Sequence, residues 1–469
     1  MEMDRRKFLA AAAGLATLAV TPACVSRGRP ASTDVIVAGA GLAGLAAAHA
    51  LEAGGARVMV LEANQRVGGR LHTVVRNGLR FEVGGVEVGA GYSRMHAHAA
   101  RVGINIVPPA LERPPASGMG LVMADTIIPS DAWPGSSANH LQGRERSIPP
   151  PALLRAAIGE LALPAGDSWR APEHLARDIS MAQRLSDAGW SDAAIELMDI
   201  GSSFSSLQSI SAVEVLRRDA LRRYGQPGLG WIEGGSQALP EAMADSLAQP
   251  PVLGARVVAV TADRRGVEVH AADGRRFKAA HLVMAVPSGP LSRIHMDPAP
   301  PAAQVDMWAS RRSNAVTTIH LQPTRRFWES DGQPLWLWGQ GALQRVFAVT
   351  GEDGEVNRLI VWLNGAMAER ADRMDRDARF AWVLNEFARL RPASRGALQP
   401  LETRSWGADP LADGAFSEIA PGRAAQVLQW YQQPLPRIQF AGEQTELDEP
   451  GMEAAVVSGE RAAAAILSS

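Results

Sequence analysis

Three glycines near the start of the chain have the spacing of a dinucleotide-binding turn. Gly39 permits a tight turn, Gly41 lets the backbone approach a pyrophosphate, and Gly44 lets a helix pack closely on a strand. An acidic residue, Glu62, follows Gly39 by 23 positions, where its carboxylate can accept hydrogen bonds from ribose hydroxyls. These residue types at this spacing predict a dinucleotide-binding site.

The elements that must position these residues are a strand, a helix and a second strand. One apolar run ends just before Gly39, an Ala-rich run begins near Leu42, and a second apolar run ends just before Glu62. We therefore predict a βαβ unit that extends to about residue 64. Its helix would direct free N–H groups and the positive end of its dipole at the phosphates.

Later segments alternate between β and helical patterns. Residues 119–128 form a short β-like section, 152–224 are helical apart from a serine-rich interruption, and 252–300 return to β character. Apolar runs separated by Gly/Asp turns predict an antiparallel sheet from 315–321, 335–338, 345–350 and 359–363. An amphipathic helix is predicted at 374–390, and a last helix from about residue 451.

The composition excludes some classes of function. Of the 469 residues, 46% are hydrophobic and 20% are charged, which is typical of a soluble globular protein. A formal net charge of −2 without Lys/Arg-rich runs provides no basis for nucleic-acid binding. The ten histidines are scattered and none has metal-ligand spacing, so we predict no metal site.

The first thirty residues have the features of an export signal. The pair Arg5-Arg6 precedes an apolar run, 10–20, that is too short to span a bilayer. This pattern resembles a bacterial Tat signal, which predicts a periplasmic protein. Cys24 is the only cysteine, so no intrachain disulfide can form. It follows the apolar run, where it is either lipidated as a membrane anchor, removed with the signal, or part of a linker.

Several glycine-rich segments in a fixed order identify a family resemblance. Residues 62–70 have the form E-A-x-x-R-x-G-G-R, 84–85 are a second glycine pair, and 283–287 form a strand that ends in proline. Residues 440–443 form a strand followed by Gly-Glu, and 452–455 begin the last helix. Together these segments resemble the flavin amine oxidase family, which binds FAD in an extended form with the adenine at the first motif.

The resemblance implies an α/β fold of the GR2 flavoprotein type. A Rossmann-like FAD-binding domain would be interleaved with an α+β substrate domain that contains an antiparallel sheet and a helical insert. The expected division is signal and linker 1–30, FAD-binding segments 31–110, 225–300 and 396–469, and substrate-domain segments 111–224 and 301–395. The residues that would contact FAD are Gly39, Gly41, Ala43, Gly44, Glu62, Ala63, Gly69, Arg70, Gly84, Gly85, Val257, Gly442, Glu443, Met452 and Ala455.

The resemblance also implies the reaction. Family members remove a hydride from the carbon that bears an amine and transfer it to flavin N5, and the imine product is hydrolysed by water. The expected substrate is therefore a small-molecule amine. Where a covalently attached flavin would need a cysteine, this chain has Ala415, so FAD is expected to bind non-covalently.

The chain departs from the family pattern at Thr318. Many members have a lysine there that holds a water near flavin N5 and is associated with reaction with oxygen. Its replacement puts oxidase activity in doubt, so the expected electron acceptor is either O2 or a periplasmic cytochrome c. Thr318 either positions a water or simply packs in the sheet.

Other departures concern the substrate pocket. Amine-selective members place two aromatic rings before the flavin; Phe416 matches one, but Gly451 replaces the other. Trp406 either faces the flavin or belongs to the core. L-Amino-acid oxidases bind the substrate carboxylate with an arginine at a position close to Glu87. An acid there favours an amine that carries a second cationic group, unless Glu87 faces solvent.

Three alternatives to an amine oxidoreductase stay open on the sequence. The first is an L-amino-acid oxidase. The second is a flavin desaturase or protoporphyrinogen-oxidase-like enzyme, which shares the first two motifs. The third is an accessory protein that binds FAD without catalysis. A homodimer is a further expectation.

Overall fold

A parallel sheet near the start of the chain forms the framework for the predicted dinucleotide site. The computed structural model describes residues 33–108, 118–164, 166–351 and 353–469. Residues 33–469 form one compact unit. The export signal and Cys24 lie outside the described residues, and the domain boundaries given above stay predictions.

The strands are β1 Val35–Ala38, β2 Val58–Leu61, β3 Thr73–Arg76, β4 Leu79–Glu82, β5 Val88–Gly89, β6 Ile106–Val107, β7 Met119–Met123, β8 Thr126–Pro129, β9 Leu229–Ile232, β10 Val257–Asp263, β11 Gly266–Ala271, β12 Arg276–Ala279, β13 His281–Met284, β14 His295–Asp297, β15 Val316–Pro323, β16 Trp336–Gly339, β17 Arg345–Thr350, β18 Val356–Asn364, β19 Leu398–Ser405 and β20 Ile438–Phe440.

The α-helices are α1 Leu42–Ala53, α2 Ser93–Arg101, α3 Pro150–Glu160, α4 Pro172–Leu175, α5 Met181–Asp187, α6 Asp192–Gly201, α7 Ala212–Tyr224, α8 Ala238–Asp245, α9 Ser288–Leu291, α10 Ala302–Ser310, α11 Phe327–Asp331, α12 Ala366–Asp372, α13 Arg376–Leu390, α14 Ala424–Trp430 and α15 Gly451–Leu467.

The parallel sheet has the strand order β2-β1-β13-β20. All four residues of β1 are buried, as expected for a strand that is covered on both faces. Helix α1 lies against this sheet, and α15 packs on α1. A Cβ added at Gly459 of α15 would lie 2.1 Å from the carbonyl oxygen of Ala43, so only glycine allows the two helices to approach this closely. The predicted βαβ unit is confirmed.

A second, larger sheet has the order β19-β15-β18-β17-β16-β7-β8. The four predicted strands are present as β15 to β18, and their ladders are antiparallel. The hairpin β7–β8 extends this sheet through a parallel ladder between β7 and β16, which local sequence patterns did not indicate. Helix α13 begins after Asp375, whose carboxylate accepts a hydrogen bond from the backbone N–H of Ala378.

The predicted helical region is present as α3 to α7, and the serine-rich stretch lies between α6 and α7. Apolar side chains from these helices form the core of this insert together with three buried tryptophans, Trp133, Trp169 and Trp190. No helix in the described part of the chain is long and apolar enough to cross a membrane. Nor do the described residues contain a group of three or more His, Cys, Asp or Glu side chains that could hold a metal ion.

Candidate active site

The glycine turn after β1 has two glycines that the fold itself requires. Gly39 has a φ of +109°, and a Cβ there would lie 2.5 Å from the carbonyl oxygen of Ala285. A Cβ at Gly44 would lie 1.8 Å from the carbonyl oxygen of Gly39. Side chains at either position would therefore collide with backbone, which confirms Gly44 as a packing residue between helix and strand.

Gly41 is different, because no protein atom requires a glycine there. The nearest atom to an added Cβ is the Cα of Gly69, 3.9 Å away, and the φ of Gly41 is an ordinary −82°. Both glycines line a large cavity that begins at this turn. The missing side chains leave room for a ligand between the two loops, as a bound dinucleotide pyrophosphate requires.

Glu62 follows the last residue of β2, and two backbone N–H groups fix its carboxylate. Its side chain is buried, and Oε2 accepts a hydrogen bond from the backbone N–H of Ala40 at 2.7 Å, while Oε1 accepts one from that of Asn64 at 2.8 Å. Both Glu62 and Ala63 line the cavity. A carboxylate oxygen has further lone pairs, so Glu62 can also accept a hydrogen bond from a ribose hydroxyl.

Two helices begin at the cavity and present their positive ends to it. Helix α1 follows Gly41 and α15 follows Pro450, and neither has a side chain that caps its N-terminus. Ala43 from the first turn of α1 and Met452 from that of α15 line the cavity. Uncapped N–H groups bind anions, and this arrangement suits a ligand with a phosphate at one end and a polarisable ring at the other.

The second glycine segment is organised by Arg66. Its guanidinium donates hydrogen bonds to the carbonyl oxygens of Val67, Leu71 and Gly69, the last at 2.7 Å. These bonds hold the loop that carries Gly69 at the cavity wall. The sequence motif contained Arg66, but its role became apparent only from these contacts.

Arg70 links this loop to the distant motif at residue 443. Its Nη1 donates to Glu443 Oε1 at 3.0 Å and to the carbonyl oxygen of Ala415 at 2.8 Å. Glu443 Oε2 also accepts a hydrogen bond from Ser417 Oγ at 2.7 Å. Burial alone would raise the pKa of Glu443, but the guanidiniums of Arg70 and Arg311 hold it below its usual range. Glu443 is therefore an ionised, fully paired carboxylate.

The glycine pair at 84–85 brings three segments together. A Cβ at Gly84 would lie 2.1 Å from the carbonyl oxygen of Arg70, so this glycine packs against the preceding loop. A Cβ at Gly85 would be in ordinary contact with Met452 Sδ at 3.7 Å. Both glycines line the cavity, and the start of α15 thus faces them across it.

Thr318 lies at the other end of the same cavity, on β15. Its side chain is buried, and its Oγ1 lies 3.2 Å from Nε2 of His320. The His320 ring is also buried and stacks on Phe81 with ring centroids 4.8 Å apart. Burial, with a smaller contribution from Arg358, lowers the pKa of His320 well below its usual value, so its imidazole is neutral.

Aromatic side chains form the walls around Thr318. Trp406 is buried, lines the cavity, and donates from Nε1 to the carbonyl oxygen of Val83 at 2.8 Å. Trp362 of β18 pairs with Thr318 in the sheet and also lines the cavity. Trp362 is one of several tryptophans between residues 308 and 382, and only its place in the sheet identifies it as a pocket residue.

Phe416 is held at the cavity by a residue that sequence reasoning missed. Asn314 is fully buried; its backbone N–H donates to the carbonyl oxygen of Phe416 at 3.0 Å, and its Oδ1 accepts from the N–H of Phe416 at 3.1 Å. Its Nδ2 donates to the carbonyl oxygen of Ser203 at 2.7 Å. One asparagine therefore fixes the backbone at Phe416 and links it to the serine-rich stretch.

Gly451 leaves one side of the pocket without an aromatic wall. It lines the cavity with a φ of +51°, and a Cβ there would lie 3.4 Å from the hydroxyl oxygen of Tyr92. Burial raises the pKa of Tyr92 to about 12, and nearby Glu453 and Glu87 add to this effect. A neutral phenol therefore lies beside the position that an aromatic side chain would occupy.

Glu87 does not lie in the cavity wall, and its side chain is exposed to solvent. Its backbone follows the glycine pair 84–85, but the next residue is buried in β5, so the alternation of the extended chain directs Glu87 outward. The expectation that Glu87 contacts substrate therefore finds no support in its position.

Gly44, predicted to contact FAD, does not line the cavity, because it packs against Gly39 and Val37 instead. The remaining residues predicted for the site lie together. Those that line the one cavity are Gly39, Gly41, Ala43, Glu62, Ala63, Gly69, Arg70, Gly84, Gly85, Val257, Thr318, Trp406, Phe416, Gly442, Glu443, Gly451, Met452 and Ala455. Two arginines that the sequence analysis did not select, Arg256 and Arg293, also line it. Arg256 directly precedes Val257, and a basic residue beside a predicted dinucleotide contact was an available signal.

Comparison with known proteins agrees with this geometry. The model of the family described as flavin containing amine oxidoreductase matches residues 42–118 and 157–467. The chain therefore belongs to this family and is a flavin-dependent oxidoreductase. FAD is its cofactor, and the glycine cradle, Glu62 and the two helix N-termini are the features that fit it.

Relatives with assigned activities cover nearly the whole chain. An L-amino-acid oxidase of Mus musculus is 27% identical over 465 residues, which cover 92% of this chain and 70% of that protein. Amine oxidase [flavin-containing] B of Homo sapiens is 24% identical, over 92% of this chain and 86% of that protein.

Among solved structures, the fold is similar to that of cyclohexylamine oxidase from Brevibacterium oxydans, with a TM-score of 0.76 and 21% identity over 93% of this chain and 99% of that one. A putrescine oxidase bound to putrescine has a TM-score of 0.74 and 24% identity over the same shares. These similarities confirm the predicted α/β fold of the flavin amine oxidases.

Proposed function

We propose that this chain oxidises the carbon–nitrogen bond of a small-molecule amine by hydride transfer to flavin N5, which gives an imine that water hydrolyses. The observation that supports this reaction is the continuity of one cavity from the FAD cradle to Thr318, Trp406 and Phe416. Bound FAD supplies the hydride acceptor. The protein supplies orientation of the amine and exclusion of water.

The aromatic walls perform the orienting role. Trp406 is fixed by its hydrogen bond to Val83, and Phe416 by its two hydrogen bonds to Asn314. The Trp406 ring cannot turn without breaking a buried hydrogen bond, which is costly, whereas the hydrogen bonds of Phe416 anchor the backbone that carries its ring. The walls therefore present a rigid apolar surface that favours the uncharged form of the amine, whose nitrogen lone pair is needed to form the C=N bond.

Thr318 is the polar group of this surface. Because the His320 imidazole is neutral, Nε2 either accepts a hydrogen bond from the Thr318 hydroxyl or donates one to it, and so restricts its rotation. The hydroxyl keeps capacity for one more partner, either a water or the substrate nitrogen. Thr318 is thus the side chain that we assign to positioning at the reacting end.

Anaerobic reduction of the flavin tests this proposal. The holoenzyme is mixed with a panel of primary, secondary and cyclic amines and, separately, with amine-free compounds, and the flavin absorbance is followed. We expect bleaching by at least one amine. Bleaching only by compounds that carry no amine would favour a desaturase, and bleaching by none of the panel would overturn the proposal.

Oxidation of amino acids is a second candidate function. The sequence argument against it was the negative charge of Glu87, but that side chain lies outside the cavity wall. A relative named L-amino-acid oxidase is also 27% identical to this chain. Free L-amino acids therefore belong in the same anaerobic panel.

The electron acceptor is either O2 or cytochrome c. The oxidase names of the relatives support O2, whereas the threonine at position 318 supports a protein acceptor. Stopped-flow reoxidation of the reduced enzyme by air-saturated buffer and by oxidised cytochrome c distinguishes them. If air reoxidises the flavin at the turnover rate, the cytochrome is not needed; if only cytochrome c does so, the enzyme is a dehydrogenase.

We further propose export through the Tat pathway to the periplasm, with lipid attachment at Cys24 and with a homodimer as the assembled form. The paired Arg5-Arg6 and the short apolar run support export. Cell fractionation of the wild type, of the R5K/R6K double variant and of C24S tests both points. Retention of R5K/R6K in the cytoplasm and release of C24S from membranes are the expected results, and sedimentation measures the assembly state.

A further inference from the structure

A second cavity lies in the helical insert, between α7 and the short helices α4 and α5. We call it the insert cavity. Its volume is about 260 Å³, slightly below the roughly 300–1,000 Å³ typical of sites for drug-sized ligands. In the described part of the chain, none of the residues that line it lines the active-site cavity. The insert cavity is therefore a separate space of the size that a small molecule needs.

The floor of the insert cavity is apolar. Its side chains are only 1% to 7% exposed, and they are those of Leu163, Trp169, Ala212, Val213 and Leu216. Apolar surface that borders an open cavity is stabilised when an apolar ligand displaces the water there. The floor therefore favours a ligand with an apolar body.

The rim of the insert cavity carries positive charge. Arg177 and Arg184 both line it, and neither side chain forms a hydrogen bond or an ion pair with another described residue. Among the described lining residues Glu173 is the one carboxylate; it is exposed to solvent and pairs with neither arginine. His174 adds a ring nitrogen that can donate a hydrogen bond. Two guanidiniums thus face one carboxylate.

Other carboxylates near the two arginines already have different partners. Asp178, which follows Arg177, accepts a hydrogen bond from the backbone N–H of Ala424 at 2.7 Å. Asp187, at the end of α5, accepts one from Nε2 of Gln183 at 2.7 Å. The guanidiniums at the rim therefore keep their donors for a ligand, and their planar fork fits a carboxylate.

The charges behind the floor are balanced. Two guanidiniums lie against the Trp169 ring, with the Cζ atoms of Arg170 and Arg217 at 4.9 and 5.9 Å from its centroid. Arg170 pairs with Asp448 at 2.6 Å, and Arg217 pairs with Glu214 at 2.8 Å. These ion pairs hold Trp169 in place without adding net charge, so the positive charge of the insert cavity comes from its rim.

We propose that the insert cavity binds a small anionic amphiphile, which is a molecule with one carboxylate or similar anion on an apolar body. The floor receives the apolar body, and Arg177 and Arg184 bind the anion at the rim. The two guanidiniums repel a cation. A wholly apolar ligand would leave the half-buried guanidinium of Arg184 without a partner. This site is independent of the proposed amine oxidation.

Calorimetry with the oxidised holoenzyme tests both features of the ligand. Octanoate has the anion and the apolar body, whereas acetate has only the anion and octanol only the apolar body. We expect octanoate to bind at least about tenfold more tightly than either of the other two, as for one charge-assisted contact added to apolar burial.

Variants of the rim and of the floor test the two halves of the site separately. Each of R177Q and R184Q should reduce the preference for octanoate over octanol, and the double variant should abolish it. V213F, which fills the floor, should weaken binding of octanoate and octanol alike. The matched control is R155Q, because Arg155 is an exposed arginine of α3 outside the cavity lining. FAD content and Tm establish that each variant is folded.

Fluorescence measures where the ligand binds. Bromo-octanoate quenches the tryptophans that it contacts; Trp169 lines the insert cavity, whereas Trp362 and Trp406 line the active-site cavity. We expect quenching that is lost in W169F and kept in W406F.

Three results would overturn the proposal. The first is a wild type that does not bind octanoate or that binds octanol equally well. The second is a double variant R177Q/R184Q that keeps the preference for octanoate. The third is quenching that is lost in W406F and kept in W169F, which places the ligand in the active-site cavity. None of these measurements needs turnover, so they do not depend on whether the protein oxidises amines.

Discussion

The two ends of the active-site cavity are built by different physical means. At the cofactor end, backbone geometry forms the site: Gly39 adopts a positive φ, Gly44 permits close packing, and Gly41 leaves an open space. At the substrate end, buried polar side chains such as His320 and Asn314 support aromatic walls. The comparison teaches that a cofactor cradle can be built mainly from backbone, to which Glu62 adds a carboxylate, whereas the substrate end is built from individual side chains.

The largest expected effect concerns the packing glycines of the cofactor end. In G44A and G459A the new Cβ would collide with backbone oxygens that cannot move away, at 1.8 and 2.1 Å. We expect each variant to lose about 3 kcal/mol of stability or to fail to fold. Urea unfolding followed by circular dichroism measures this loss.

Gly159 of α3 provides the control, because a Cβ added there meets no atom within 4 Å. G159A should be as stable as the wild type or gain up to about 1 kcal/mol, since alanine favours a helix. Stability losses of equal size in all three variants would contradict the packing argument.

A substitution at Gly41 tests whether FAD occupies the open space at this turn. In G41A the apoprotein should keep its stability, because the nearest protein atom is 3.9 Å from the added Cβ. FAD should bind about 100-fold more weakly, which corresponds to about 2.7 kcal/mol. Fluorescence titration of the apoprotein with FAD gives the Kd. Unchanged affinity would show that the pyrophosphate does not approach this turn.

The buried histidine at the substrate end predicts a dependence of stability on pH. His320 is neutral in the folded chain because its pKa is lowered, whereas in the unfolded chain it is protonated below about pH 6.5. The unfolded state therefore binds more protons, and stability falls as the pH drops below 6.5, by up to about 1.4 kcal/mol per pH unit. H320Q should show a smaller fall between pH 7 and pH 5 in urea unfolding. A fall as steep as that of the wild type would contradict this assignment.

The aromatic wall at Phe416 should affect turnover of the substrate rather than binding of FAD. F416L removes a ring that lines the cavity but keeps the backbone hydrogen bonds to Asn314, and we expect kcat/KM for the best amine to fall about tenfold, or about 1.4 kcal/mol. FAD content should not change. Phe277 on β12 is the control, since it is not part of the cavity lining, and F277L should leave kcat/KM unaltered.

The smallest effect is expected at Thr318, where one hydroxyl is removed. T318V should lower kcat about fivefold, as expected for one neutral hydrogen bond of about 1 kcal/mol. The neighbouring Thr317 points to the other face of β15 and donates to Asp372 at 2.6 Å. T317V should therefore lower stability but leave kcat unchanged. If both variants lower kcat alike, Thr318 has no special role.

Much of the cofactor end could be predicted because its signals are local. The βαβ unit, the glycine turn and Glu62 lie within about thirty residues, and the residue types fix the backbone there. The strands of the larger sheet were also visible from their apolar runs. The hairpin β3–β4 was overlooked, although its turn has the Asn77-Gly78 pair that favours such hairpins.

The substrate end could be predicted only in part. Thr318, Phe416 and Gly451 were selected through a family resemblance, but their partners were not. Asn314 meets Phe416 across 102 positions, and Arg218 meets Ser417 across 199. Glu87 was selected from its place in the sequence, and the alternation of the extended chain directs it to solvent.

The sequence by itself determined the class of cofactor and the turn that binds it. The positive φ of Gly39 and the close approach of helix α1 to strand β1 at Gly44 both depend on residues that are close together in the chain. Only the tertiary structure decided which side chains border the substrate. Their positions follow from the register of the larger sheet and from the packing of α7 against the loop at Phe416. Such contacts join distant segments, and no local spacing of residue types specifies them.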